Sequence, residues 1–217
     1  MERIIMHWSG GTHTASGVDR EHYHLLIQGD GSVVYGDYEI SDNISTSDNR
    51  YAAHTRNLNT GSIGVAVCAM LDARQVPFDP GKYPITEAQV QTLVREAARL
   101  AKGYGIPITR QTVLSHAEVQ PTLGVEQAGK WDITYLPGMT KPGDPIAVGD
   151  KLRQMISDQM SGTVRPQPKP VTPAPTPQPA KPAPTPQPVT PAPAPTPAQP
   201  ANPFAALIAW LNRIFSA

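Results

Sequence analysis

The 217-residue chain sets 18 lysines and arginines against 18 aspartates and glutamates and holds one cysteine, Cys68. A single cysteine excludes an intrachain disulfide framework and fits synthesis in a reducing cytoplasm. After Asp158 the only charges are Arg165, Lys169, Lys181 and Arg213, which leaves 14 cations against 18 carboxylates up to that point, a mildly acidic region without the basic face a nucleic-acid enzyme needs.

The stretch from Met1 to Met6 is too short for the apolar core of a signal peptide, so the expectation is synthesis in the cytoplasm without one. No run of about 18 apolar residues reads as a membrane span. Residues 3–8, RIIMHW, predict a short buried strand. Residues 22–28 and 32–35, HYHLLIQ and SVVY, flank Gly29-Asp30-Gly31 and predict a hairpin. Residues 61–70, GSIGVAVCAM, are nearly all apolar or small, as in a central strand covered on both faces.

The clearest helix is 87–102. Thr86 and Gln89 make a capping-box pattern, and Val90, Leu93, Val94, Ala97 and Leu100 share one face. Gly103 stands where a left-handed C-terminal cap is expected. Residues 106–114, IPITRQTVL, predict another strand, and Val148, Leu152, Met155 and Ile156 predict a helix near 148–159. Together these elements predict a mixed α/β domain over residues 1–160, a central mixed sheet flanked by helices.

Beyond it the composition changes. Seventeen of the 25 prolines fall within 164–203, and PAPTPQP occurs at 173–179 and again at 182–188. Such a segment has no core to bury, so 161–203 is expected to be an extended tether, its Pro-rich 164–203 stretch reaching at most roughly 120 Å at ~3.1 Å per residue. Residues 204–217 turn apolar again, with Phe204, Leu207, Ile208, Leu211, Ile214 and Phe215 on one helical face. This amphipathic helix is expected either to touch a membrane surface or to dock on a partner or the catalytic domain.

Three residues have types that suit a catalytic Zn²⁺: His7 at the end of the first strand, His116 after a later strand, and Asp132 in GKWD. Two imidazoles and a carboxylate leave a fourth position for water. No compact HExxH-like motif is present, and spacing by itself does not select the trio.

Five segments add weight: IMHWSGG, HYHLLIQGDGSVVYG, AHTRNLNTGSIGVAV, SHAEV and GKWD. In that order, over roughly residues 3–138, they resemble the type 2 N-acetylmuramoyl-L-alanine amidases, a family that includes phage endolysins, muropeptide-recycling enzymes and peptidoglycan-recognition proteins. The resemblance implies a mixed sheet flanked by helices. It implies that His7, His116 and Asp132 bind zinc, that Lys130 and Tyr23 are catalytic, and that His54 and Asn59 border the substrate groove. Tyr23 also reads as a strand aromatic packed on the sheet, and Lys130 as a solvated lysine. Glu118 reads equally as support for the site or as a salt-bridge residue. His13, His22 and His24 are not expected to be ligands, and Cys68 reads as a small buried residue. One departure stands out: about fifteen residues separate Trp8 from His24, so the helix that family members often carry there is expected to be missing or vestigial.

The implied activity is zinc-dependent hydrolysis of the amide between N-acetylmuramic acid and L-alanine in peptidoglycan. A phage endolysin acting on the cell wall as a monomer fits the tether and terminal helix best. The alternatives are a peptidoglycan-binding protein without catalysis, a cytoplasmic recycling amidase, and a secreted antibacterial effector.

Overall fold

The structure, a computed structural model, describes residues 1–162; the expected tether and the 204–217 helix lie outside them. Five strands form one mixed sheet: β1 (Arg3–Trp8), β2 (Leu25–Ile27), β3 (Val33–Tyr35), β4 (Ser62–Val67) and β5 (Val113–Ser115), in the order β3-β2-β4-β1-β5. β4 and β5 run parallel to β1, β2 runs parallel to β4, and β3 closes one edge antiparallel to β2. Helices α1 (Gly17–His22), α2 (Glu87–Tyr104), α3 (His116–Leu123) and α4 (Pro145–Ser161) complete the described domain. Among these helices none is long and apolar enough to cross a membrane.

Strand alternation divides the two faces of the sheet. Ile4, Met6 and Trp8 of β1 join Ile63, Val65, Val67, Leu25 and Ile27 in the main core, with Leu93 and Leu100 of α2 and Leu152 and Ile156 of α4. Ile5 points the other way, into a smaller cluster with Leu114 and Val119. His7 follows Ile5 on that second face. The central strand β4 is buried at all six positions, as its continuous apolar run requires.

The predicted capping box forms: the Thr86 hydroxyl accepts from Gln89 N–H, and Gln89 Oε1 accepts from Thr86 N–H. Gln89 does more than cap. Fully buried, its amide donates to the carbonyls of Ile27 at 3.0 Å and Cys68 at 2.8 Å, where β2 and β4 end.

Several boundaries depart from expectation. α2 continues through Gly103 and ends at Gly105, whose φ of 66° supplies the left-handed cap. The strand expected over 106–114 shrinks to Val113–Ser115, because Pro107 and the turn closing Thr112 and Val113 N–H onto the Thr109 carbonyl hold the earlier residues out of the sheet. Residue 22 belongs to α1, a six-residue helix begun by a Ser16–Asp19 capping box. This is the vestigial form of the helix expected between the first strand and the hairpin.

His24 takes a structural role. Its Nδ1 accepts from Gly64 N–H and its Nε2 donates to Asn43 Oδ1, both at 3.0 Å. Asn43 in turn donates to the Ala52 and Asn59 carbonyls, so the pair anchors the 38–60 segment to β4. Burial lowers the His24 pKa from 6.5 to about 4.

Two outcomes follow. Gln89→Leu leaves the Cys68 carbonyl and the Thr86 N–H unpaired and the Ile27 carbonyl with the Cys68 N–H alone, and should cost about 1–3 kcal/mol, read as a lower denaturant midpoint. Because His24 is neutral when folded and protonates near 6.5 when unfolded, the unfolded chain binds the extra proton between those values. Stability is therefore lost as pH falls from about 6.5 to about 4. Replacing His24 by Gln should flatten that slope by up to about 1.4 kcal/mol per pH unit; an unchanged slope in urea titrations refutes the assignment.

Candidate active site

The C-terminal ends of β1 and β5 bring His7 and His116 together. His7 is the last-but-one residue of β1, and His116 opens α3 directly after β5. These strands are adjacent and parallel, with Met6 opposite Ser115. Asp132 arrives from the loop after α3. Trp131 seats it by packing edge-on against Trp8, ring centroids 4.5 Å apart. The next residue, Ile133, is buried with φ at 63°, a left-handed conformation that costs a β-branched residue roughly 1–2 kcal/mol.

His7 Nδ1 and His116 Nδ1 lie 3.0 Å apart. Asp132 Oδ2 lies 3.6 Å from the first and 3.4 Å from the second. All three residues are buried. Ligands held tetrahedrally around zinc at ~2.0–2.1 Å stand about 3.3 Å from one another, so this donor set and spacing fit Zn²⁺. Among the described residues this is the one cluster of its kind.

The electrostatics suit metal ligation. Burial, reinforced by His116 and Lys130, holds the His7 pKa at about 4 despite Asp132. Burial opposes ionisation of Asp132, but its interactions with the flanking His116 and His7 prevail and keep it well below the usual carboxylate range. The site thus offers a neutral imidazole at His7 and an ionised carboxylate.

A buried relay orients His7. The Ser62 carbonyl can only accept, so His54 donates to it from Nε2 at 3.4 Å. His54 Nδ1 then accepts from the Thr55 hydroxyl at 2.8 Å, and Thr55 Oγ1 accepts from His7 Nε2 at 3.4 Å. This order leaves the His7 Nδ1 lone pair facing the other two residues. Gly64 makes room for the relay: a Cβ there would stand 2.5 Å from the His54 ring.

A cleft of about 470 Å³ opens over the trio and is lined by Tyr23, His54, Arg56, Asn59, Gln127 and Lys130 among others. All seven residues singled out from sequence are therefore in or around one cavity. Tyr23 packs its ring 5.2 Å from that of His7 and also against Leu26, Ala66 and Cys68, so it packs on the sheet while lining the cleft. Burial, then the Asp132 charge, raises its pKa, so the phenol keeps its proton. Lys130 is exposed at the rim. Both ring nitrogens of His54 are engaged within the protein. Asn59 accepts from Thr55 N–H through Oδ1.

The remaining candidates separate. Glu118 is a salt-bridge residue: it pairs with Arg153 at 2.8 Å and accepts from Ser115 N–H, while Arg153 also donates to the Val113 carbonyl. This buried clamp ties α4 to the end of β5 that delivers His116. His13 bonds the Pro84 carbonyl, and His22, which lines the cleft, bonds that of Val18; neither belongs to the trio. Burial pushes the Cys68 thiol up to about 12, which agrees with an inert core residue. Sequence reasoning passed over Thr55 and Gln127, the latter accepting from His116 Nε2 at 2.8 Å. Neither has a distinctive spacing; a polar residue inside AHTR and another just before GKWD were the only signals.

Comparison with known proteins adds an independent finding. The family model described as N-acetylmuramoyl-L-alanine amidase matches residues 1–138. A search of curated proteins returns no match. Solved structures similar to the chain include the N-acetylmuramoyl-L-alanine amidase LysC from Clostridium intestinale URNW, at 16% identity over 70% of this chain and 84% of that one, TM-score 0.40. PlyL gives 16% identity over 75% and 86%, TM-score 0.38. The amidase AmiD from E. coli, solved with anhydro-N-acetylmuramic acid-L-Ala-D-gamma-Glu-L-Lys, gives 17% over 54% and 48%, TM-score 0.39, so the chain spans about half of it. With a family match that runs from the first strand past Asp132 and covers well over half of its length, the chain belongs to the N-acetylmuramoyl-L-alanine amidases.

Proposed function

We propose that the protein is a zinc-dependent peptidoglycan amidase that cuts the bond between N-acetylmuramic acid and L-alanine and serves as a phage endolysin. The observation that carries this reading is the buried His7–His116–Asp132 convergence at the floor of an open cleft. His7, His116 and Asp132 would hold the ion. Zn²⁺ bound there supplies Lewis acidity, which acidifies water and polarises an amide carbonyl.

The other residues act around that centre. Lys130 brings an ammonium to the cleft, and its charge stabilises the oxyanion that develops as the scissile carbonyl is attacked. Tyr23, kept protonated, donates a hydrogen bond to the reacting oxygen instead of serving as a phenolate base. Asn59 has its amide NH₂ available for sugar or peptide, whereas His54 contributes ring surface and supports His7. Peptidoglycan is the partner this chemistry addresses. The sequence of the Pro-rich segment and the apolar 204–217 stretch supports an enzyme that must reach a wall, with the last stretch contacting a membrane surface.

His7→Ala, His116→Ala and Asp132→Ala should each abolish zinc binding and wall hydrolysis, measured by metal analysis and turbidity loss of purified peptidoglycan. Full activity in any one removes that residue from the ligand set. Mass spectrometry of the digest should show free stem peptides with L-alanine amino termini; glycan fragments still carrying their stems would rule out this bond. A chain lacking 164–217 should hydrolyse purified wall at close to the full-length rate, and a large loss would place that segment in the active machinery.

A further inference from the structure

We infer that Gln127 is the positioning residue of the metal site: its side-chain amide fixes which nitrogen of His116 carries the proton and ties that imidazole to the loop that orients His7. The inference rests on the zinc-site reading above.

The argument follows from donors and acceptors. Gln127 is 4% exposed, in the loop between α3 and Lys130. Its amide nitrogen lies 2.9 Å from the Arg56 carbonyl, a group that can only accept. This contact settles the orientation of the amide and turns Oε1 toward His116 Nε2, 2.8 Å away. An amide oxygen accepts and cannot donate, so His116 carries its hydrogen on Nε2. Its Nδ1 lone pair is then directed at the space it shares with His7 Nδ1 and Asp132 Oδ2. The His7 relay imposes the same polarity from the other side. Three acceptors thus converge within 3.0–3.6 Å with no hydrogen between them, an arrangement that a cation relieves.

Gln127 is itself held. Its backbone N–H donates to Gln120 Oε1 of α3 at 3.0 Å. The Arg56 carbonyl it binds follows directly on Thr55, whose N–H is anchored by Asn59 and whose hydroxyl contacts His7. One neutral amide therefore joins both histidines: directly to His116, and through the 55–59 loop to His7. Partners of this kind typically change metal affinity by 10–100-fold when removed.

The test uses the full-length protein with nitrogen-15-labelled histidine, read by long-range proton–nitrogen spectroscopy and by competition with a chromogenic chelator for Zn²⁺. In wild-type protein stripped of metal, His116 is expected to be protonated at Nε2. Gln127→Leu removes acceptor and donor together and should give mixed His116 tautomers and a zinc dissociation constant raised about 10–100-fold. Gln127→Glu keeps the acceptor but gives up donation to Arg56, so it should hold His116 protonated at Nε2 and weaken zinc binding less than Gln127→Leu does. Equal weakening in the two variants overturns the inference, because loss of the loop contact alone would then account for both. A wild-type His116 protonated at Nδ1 overturns it as well, and that spectrum decides even where Gln127→Leu does not fold. Failure of the amidase reading looks different: zinc binding that depends on Gln127 without release of stem peptides refutes hydrolysis and leaves the positioning role intact. A wild-type chain that binds no zinc refutes both.

Discussion

Two imidazole nitrogens and a carboxylate oxygen, packed within 3.0–3.6 Å and largely buried beneath the cleft, form the constraint around which this domain is arranged. Burying such groups without partners is costly, and like lone pairs repel. The fold sustains the arrangement by fixing the opposite edge of each ring with a bond of defined polarity. The chain commits buried threonine, histidine and glutamine side chains to that task, where ordinary packing would place apolar ones.

The scaffold explains how the residues meet. Parallel β1 and β5 end side by side, so residues 109 positions apart become neighbours at the carboxyl edge of the sheet, where open α/β sheets commonly bind ligands. Alternation along β1 sends Ile4, Met6 and Trp8 to the helical core and leaves His7 on the opposite face. Small residues supply the room. Gly64 admits the His54 ring, and Gly149 admits the Glu118 carboxylate, which would stand 2.1 Å from an added Cβ. Through that second contact α4, remote in sequence, braces the start of α3 with the Arg153–Glu118 pair.

Legibility in the sequence followed the strength of local signals. β1, the hairpin and α2 were readable because a short apolar run, a Gly-Asp-Gly turn and a capping box each act within a few residues. The strand at 106–114 misled because β-rich composition conceals a turn set by Thr109 hydrogen bonding. Gly103 misled because two glycines near a helix end are equivalent in sequence, while the backbone reaches the left-handed region only at Gly105. Helix α3 escaped notice: it is eight residues long, carries Pro121 near its end, and shows little apolar periodicity.

By itself the sequence determined the residue types of the site and their order, and the resemblance implied roles for them, because two imidazoles, a carboxylate and an ammonium in one array suit few kinds of chemistry. It also determined the layered fold, since periodicity and turn chemistry are local. Only the tertiary structure decided that Glu118 braces a helix, that His54 supports His7, and that Gln127 faces His116. Those roles depend on which donor meets which acceptor across the folded chain, and a hydrogen bond between residues far apart in sequence leaves no periodic trace in either segment.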